Sequence, residues 1–284
     1  MMSGVVEPSL PAMAASIGSL PPADEPPSDR LDELARWWAQ VTGLPSSAAE
    51  PKRVERLWAP EVPFGGPREI GEVIHWAVAA ADRVIDGGAE LVLIGVPATG
   101  TIAPAVLAAS LLRLDAAEAI GWPSASGIDD ADWMVRVTTV REGLRRLRGP
   151  FELNDDACAA DAAGPDPAQL LRRLADPWMT AACTAVLRCA SRRTPMVLEG
   201  FGAAVSGLFG WHANAQAAGW FQVADGPIAA GSAGAAGARD GLHDRVLTAM
   251  QREPLARLGL SRVNGYAAQI AVAMLQMALE RAAR

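Results

Sequence analysis

Residues 91–112 read LVLIGVPATGTIAPAVLAASLL. The run carries no charge and is long enough to cross a bilayer. Gly95, Pro97, Gly100 and Pro104 interrupt it in the middle, with Thr99 and Thr101 between them. A buried strand, a tight loop and a helix starting near Pro104 fit that punctuation, and an unbroken membrane helix does not. Upstream, Pro67 opens a helix in which Ile70, Val73, Ile74, Val78 and Ala81 recur at helical spacing, and Gly87-Gly88 ends it. Helix, strand, loop, helix is the grammar of an α/β fold with a parallel sheet flanked by helices.

The remainder extends that grammar. EAIGWP (118–123) reads as a short strand, and Asp129 caps a long helix that ends near Arg148 and Gly149-Pro150. Residues 151–165 read as a loop. Helices at about 167–175 and 178–191 precede TPMVLEG (194–200), the second clear buried strand. FGAAVSGLFGW is helical but Gly-rich, AGWFQVADG (218–226) is a third strand, and IAAGSAGAAGA (228–238) is a low-complexity loop. Helices near 240–251 and 264–283 follow. At the other end, residues 1–28 are dominated by Pro and small residues and predict a mobile arm. Residues 29–66 predict one capped helix, with Leu31, Leu34 and Trp38 on one face, and then a Pro/Gly-rich connection. The α/β domain is thus expected over 67–284, with a small helical N-terminal part.

Composition narrows the function classes. Half of the 284 residues are apolar and the formal net charge is −7, so the chain can bury a core and lacks the basic face that nucleic acid or an anionic membrane demands. Cys158, Cys183 and Cys189 form neither a disulfide framework nor a CxxC pair, which points to a reduced, cytoplasmic setting. His75, His212 and His243 are scattered and no HExxH is present, so no tightly bound metal is expected. Residues 1–29 lack the basic start of a signal peptide.

Three places can carry chemistry. GVPATGT (95–101), between strand and helix, presents backbone N–H groups suited to a phosphate, although it is neither GxGxxG nor a Walker A loop; an ordinary strand–helix turn reads the same way. SGIDDADW (126–133) places Asp129 and Asp130 at a helix start, where they serve as ligands or as a cap. LEG (198–200) puts Glu199 at the C-terminal end of a buried strand, where open parallel sheets meet their ligands. A solvated strand-end glutamate is its plain alternative. There is no GxSxG.

From Pro67 onward the order of segments resembles the nicotinate-nucleotide–dimethylbenzimidazole phosphoribosyltransferases, the CobT family. GAELVLIGVPATGTIAPAVLAASLL is similar to the family's strand–loop–helix around GEMGIGNTT, SASGIDDADWMVRVTTVREGL to its GTGxDDxxxxxK segment, and PAQLLRRLA to a later helix. RRTPMVLEGFGAAVSGLF resembles RxPVxLDGF and its helix. HDRVLTAMQREPLARLGL with VNGYAAQIAVAML resembles the final helix and GEGTGAAL. The resemblance implies a Rossmann-like parallel sheet plus a small helical part. It also implies transfer of phosphoribose from nicotinate mononucleotide to a benzimidazole-type azole without a cofactor or metal, in a homodimer or a heterodimer with a homologue. It implies substrate contacts at Gly95, Gly100, Thr101, Gly127, Asp129, Asp130, Arg136 and Gly265, with Glu199 as a catalytic candidate.

The departures concern the acids. The family's general base falls on Asn264, and an amide cannot accept that proton at neutral pH. The acid of GEMGIGNTT falls on Val96. HRSxEPGH is reduced to His243, and the AGDHGV region has no counterpart, which marks the chain as a shortened member. Two readings follow: a transferase that uses a different base, or a non-catalytic paralogue that binds a nucleotide or azole or partners a full-length homologue. A nicotinamide oxidoreductase fits the fold grammar but lacks GxGxxG and its ribose-binding acid.

Overall fold

The computed structural model describes residues 9–21, 26–45, 50–58, 69–96, 102–121, 129–148, 166–227, 237–260 and 265–284. Its centre is a four-stranded parallel sheet: β1 (Val54–Trp58), β2 (Leu91–Gly95), β3 (Met196–Glu199) and β4 (Phe221–Val223), in that order across the sheet. Every residue of β2, β3 and β4 is buried, which is why these segments read as near-continuous apolar runs. The α/β architecture expected from the sequence is the one observed.

Helices supply the connections. α1 is Leu10–Ser16, α2 Arg30–Thr42, α3 Ile70–Asp86, α4 Ala103–Leu111, α5 Ala116–Ile120 and α6 Asp130–Arg148. They are followed by α7 Pro167–Leu174, α8 Pro177–Ser191, α9 Gly200–Ala213, a 3-10 turn at Ala215–Trp220, α10 Gly237–Ala249 and α11 Tyr266–Ala282. Local chemistry sets many of the ends. Asp29, Asp166 and Asp176 cap α2, α7 and α8, and Gly43 closes α2 in the left-handed conformation. α3 packs on α8, and there Arg188 grips Asp82 with two hydrogen bonds of 2.8 Å while Arg192 reaches Asp82 and Asp86.

Three expectations give way. The described part of the arm is docked: Leu10, Met13, Ala14 and Ile17 are buried. Asn214 Nδ2 donates to the carbonyls of Ala14 and Ile17, and Trp220 Nε1 donates to that of Gly18. The 10-13-14-17 spacing is an amphipathic stripe that the surrounding prolines and small residues conceal. Within the expected connection, VERLW forms edge strand β1. It pairs on one side only, so its polar Glu55 and Arg56 can face water and break the apolar run. The described part of EAIGWP, residues 118–121, is not a strand. Its first half lies in α5, where Asp115 and Glu118 form a reciprocal capping box. The loops expected over 151–165 and most of 228–238 lie outside the described residues.

The glycines of α9 let that helix settle on the sheet. A Cβ on Gly207 would stand 2.7 Å from Leu198 Cδ1 and 3.0 Å from Phe221 Cζ, and one on Gly202 would stand 2.8 Å from Val96 Cβ. α10 packs on α9, and there His243 is buried edge-to-face against Phe201, with ring centroids 5.7 Å apart. Its Nε2 has no hydrogen-bond partner among the described residues. Burial pushes this imidazole down from 6.5 to about 4, with Asp244 pulling the other way.

Two predictions arise from this packing. Gly207→Ala should destabilise the fold by about 1–3 kcal/mol, because backbone or neighbours must shift. Gly71→Ala, in the first turn of α3 with no atom within 4 Å of the new methyl, should stabilise by about 0.5–1 kcal/mol. Urea melts of the two variants check both signs. For His243, the unfolded imidazole charges near pH 6.5 while the buried one resists to about 4. Its contribution is therefore intact above 6.5 and lost as the pH falls toward 4. Between pH 7 and 5 the loss should be about 2 kcal/mol, measured as the difference in pH slope between the wild type and His243→Gln.

Candidate functional site

The C-terminal ends of the strands lie side by side: Trp58 pairs with Gly95 and Gly95 with Glu199. This edge is where an open parallel sheet offers its crevice. Glu199 ends β3 and is 5% exposed. Its Oε1 accepts the backbone N–H of Gly265 at 2.6 Å, and Oε2 has no partner among the described residues. Gly265 takes a left-handed φ of 93°, which a residue with a side chain resists, and so turns the chain into α11. Burial pushes the Glu199 carboxyl up from its ordinary value. The N–H groups of Gly265, Ala268 and Ala267, and the charge of Arg56, pull it down. The carboxyl therefore sits against the N-terminus of α11 with one oxygen held and one free.

Asp225 repeats the arrangement one strand over. It follows β4, is fully buried, and accepts the backbone N–H groups of Leu258 (2.7 Å) and Leu260. Burial raises its pKa, and the N–H groups of residues 258–260 and Gly226 oppose the rise. Two strand-end carboxylates thus hold the two ends of segment 258–265. Asn264 belongs to this segment but lies outside the described residues, as do Gly100, Thr101 and Gly127.

Of the residues singled out from sequence, Gly95, Glu199 and Gly265 come together. Asp129, Asp130 and Arg136 belong to a different part of the described fold. They lie on or just before α6, whose packing partners are α4, α5 and α7. Asp129 Oδ1 accepts the Asp132 N–H at 2.9 Å as the cap of that helix, Asp130 is exposed and Arg136 half-buried. At the start of α4, a cavity of about 220 Å³ is lined by Ile102, Ala103, Arg146, Arg173 and Asp176 among others. Arg173 also donates to the Leu147 carbonyl at 2.9 Å.

Sequence reasoning does not single out Asp225, Arg146, Arg173 or Arg56. A signal for Asp225 is present, since ADG (224–226) repeats the acid–glycine ending of LEG (198–200) after an apolar strand. Cys183 and Cys189 are free and buried, and burial pushes both thiols up to about 12, which removes them as nucleophiles. Among the described residues no three His, Cys, Asp or Glu side chains gather as a metal site. Among them, too, no helix is long and apolar enough to cross a membrane.

A family model described as "Phosphoribosyltransferase" matches residues 67–284. The nicotinate-nucleotide–dimethylbenzimidazole phosphoribosyltransferase of Mycobacterium avium is 31% identical over 212 residues, covering 74% of this chain and 53% of that protein. The enzyme of the same name from Streptomyces avermitilis is 31% identical over 207 residues, covering 72% and 48%. The chain spans about half the length of the curated relatives it matches. CobT from Thermus thermophilus superposes with a TM-score of 0.67 at 16% identity, covering 96% of each chain, which establishes a shared fold. A family model that takes in most of the chain, relatives of one name at about 30% identity and the common fold lead to one assignment: this chain belongs to the nicotinate-nucleotide–dimethylbenzimidazole phosphoribosyltransferase family.

Proposed function

We propose that the chain transfers phosphoribose from nicotinate mononucleotide to a benzimidazole-type azole, with Glu199 as the general base at the position that Asn264 leaves without one. One observation carries the reading: the Glu199 carboxyl is buried, raised in pKa, free at Oε2, and bonded through Oε1 to the residue that follows Asn264 in the chain. A carboxylate in such surroundings is a stronger base than a solvated one.

In this reading Oε2 takes the proton from the azole N–H. The other ring nitrogen forms the new bond to the anomeric carbon. The bond from that carbon to the nicotinate ring nitrogen breaks, and its electron pair returns to the ring. The leaving group is nicotinate, and the proton ends on Glu199. The phosphate of the donor meets the segment from Gly95 through Gly100 and Thr101 into α4, and Arg146 supplies a positive charge from the cavity beside it. Gly265 contributes its backbone at the azole side. Asp129, Asp130 and Arg136, with Gly127, remain the further substrate contacts that the family resemblance implies, Asp129 serving also as the cap of α6. Free buried cysteines support a cytoplasmic setting.

The second reading, a non-catalytic paralogue, is favoured by one specific fact: Oε1 of Glu199 serves α11 as a cap, so the carboxylate has a structural role even without chemistry. The experiment that separates the two is nicotinate release from nicotinate mononucleotide and dimethylbenzimidazole, followed chromatographically with equilibrium binding of the nucleotide measured alongside. The transferase reading expects release by the wild type, reduced about 10²–10⁴-fold in Glu199→Gln. The glutamine still accepts the Gly265 N–H, so stability should change little. The rate of the wild type should fall on the acid side at a pH above 4.5, the ordinary glutamate value, because a raised base protonates sooner. Nucleotide binding without release would establish the paralogue instead. Arg146→Ala should raise KM for the nucleotide about tenfold while leaving KM for the azole unchanged, as read from initial rates at varied concentrations of each substrate.

A further inference from the structure

Helix α6 carries arginines to two separate cavities. Arg146 reaches the one at the start of α4. Arg141, Arg145 and Arg148 line another, of about 290 Å³, walled by Leu144 and by Asp115 at the start of α5. The two cavities have no lining residue in common. Advancing by about 100° per residue, the three arginines fall within an arc of roughly 60° and span about 10 Å along the helix axis. They form one row, and Arg146 lies roughly 130° round from its centre.

The row has no acid to answer it. All three side chains are exposed, and none forms an ion pair or a side-chain hydrogen bond among the described residues. Elsewhere Arg30, Arg36, Arg188, Arg192, Arg257 and Arg281 each hold an acid. Glu142, the one acid in the second half of α6, projects about a quarter-turn away from the row. Asp115 Oδ1 accepts the Glu118 N–H at 2.8 Å and Glu118 Oε2 accepts that of Asp115 at 3.0 Å, so both acids of that wall are engaged in capping α5. The cavity therefore sets three guanidinium groups against one carboxylate.

Such a row costs stability by itself. Arg141 and Arg145 are four residues apart and Arg145 and Arg148 three, the spacings at which like charges on a helix repel. The affinity of a helix C-terminus for cations accounts for Arg145 and Arg148, which lie in the last turn. It does not account for Arg141, a turn further back, or for the gathering of all three in one cavity. An anion held between them accounts for both. Guanidinium groups meet phosphate oxygens in planar, two-bond contacts, and a row about 10 Å long suits an elongated anion better than a single phosphate.

We propose that this cavity binds an anion of two linked phosphates, gripped by Arg141, Arg145 and Arg148. Neither Glu199 nor the segment after Gly95 takes part, so the proposal is independent of the phosphoribosyl-transfer reading.

Calorimetric titration of the full chain with inorganic pyrophosphate at low salt tests it, with inorganic phosphate and ADP run alongside. Pyrophosphate should bind more tightly than phosphate, and its affinity should fall as salt is added. ADP that displaces pyrophosphate marks an esterified diphosphate as the ligand, and ADP that does not marks the free ion. Arg141→Ala and Arg145→Ala should each weaken pyrophosphate binding about tenfold. Arg145→Lys, which keeps the charge and loses the fork, should fall between Arg145→Ala and the wild type. Because these positions are exposed, the variants without ligand should melt as the wild type does. Pyrophosphate should raise the melting temperature of the wild type and not that of the double variant R141A/R145A. A wild type that neither binds pyrophosphate nor gains melting temperature from it overturns the proposal. Binding that survives in the double variant overturns it too, and if Arg146→Ala then abolishes that binding, the anion sits in the cavity at the start of α4 and the transferase reading stands.

Discussion

A carboxylate withdrawn from water has to find donors elsewhere, and Glu199 and Asp225 find theirs in one stretch of backbone. Their strands end side by side, and the segment from Leu258 to Gly265 spans both ends, giving N–H groups to Asp225 at one end and to Glu199 at the other. The constraint acts in both directions. Without those donors two buried charges would stand uncompensated, at several kcal/mol each. Without the carboxylates, the turn into α11 would lose the acceptors for its first N–H groups. The turn into α11 and the burial of the two strand-end carboxylates rest on the same few hydrogen bonds.

The low-polarity surroundings that raise the Glu199 pKa come from the way α9 lies on the sheet. Gly200, directly after Glu199, has a φ of 80°, and Gly202 and Gly207 bring the helix onto Val96, Leu198 and Phe221 at distances no side chain would permit. Phe201 then closes against His243 from α10. What reads locally as a Gly-rich, poorly helical segment is, in three dimensions, the smooth face of a tightly docked helix. Close docking excludes water, and the exclusion of water gives one carboxyl oxygen its basicity.

The two oxygens of this carboxylate differ in their surroundings. Oε1 is committed to the N-terminus of α11, an interaction that favours the charged form, while burial of the group as a whole favours the neutral form. A base that is too well stabilised by donors would lose its affinity for a proton, and one without donors would not stay charged. In the proposed transferase reading, with an asparagine at position 264, that balance at Glu199 is what the reaction depends on.

Periodicity and punctuation are enough to place β2, β3, α3, α6, α8 and α11, because apolar spacing and capping residues act over a few neighbouring positions. The collinear order of segments is enough to recognise the family, and Glu199 stands out by its place at a strand end. Other features are legible only in the fold. β1 is hidden because an edge strand does not need an apolar run, and α1 because its stripe lies among prolines. The grouping of Glu199 with Gly265, 66 positions away, and the parallel grip of Asp225 are decided by tertiary structure. Secondary structure follows from the period of side chains along the chain, which sequence contains. Which buried acid meets which distant N–H depends on how helices pack over the sheet, and no local pattern specifies that.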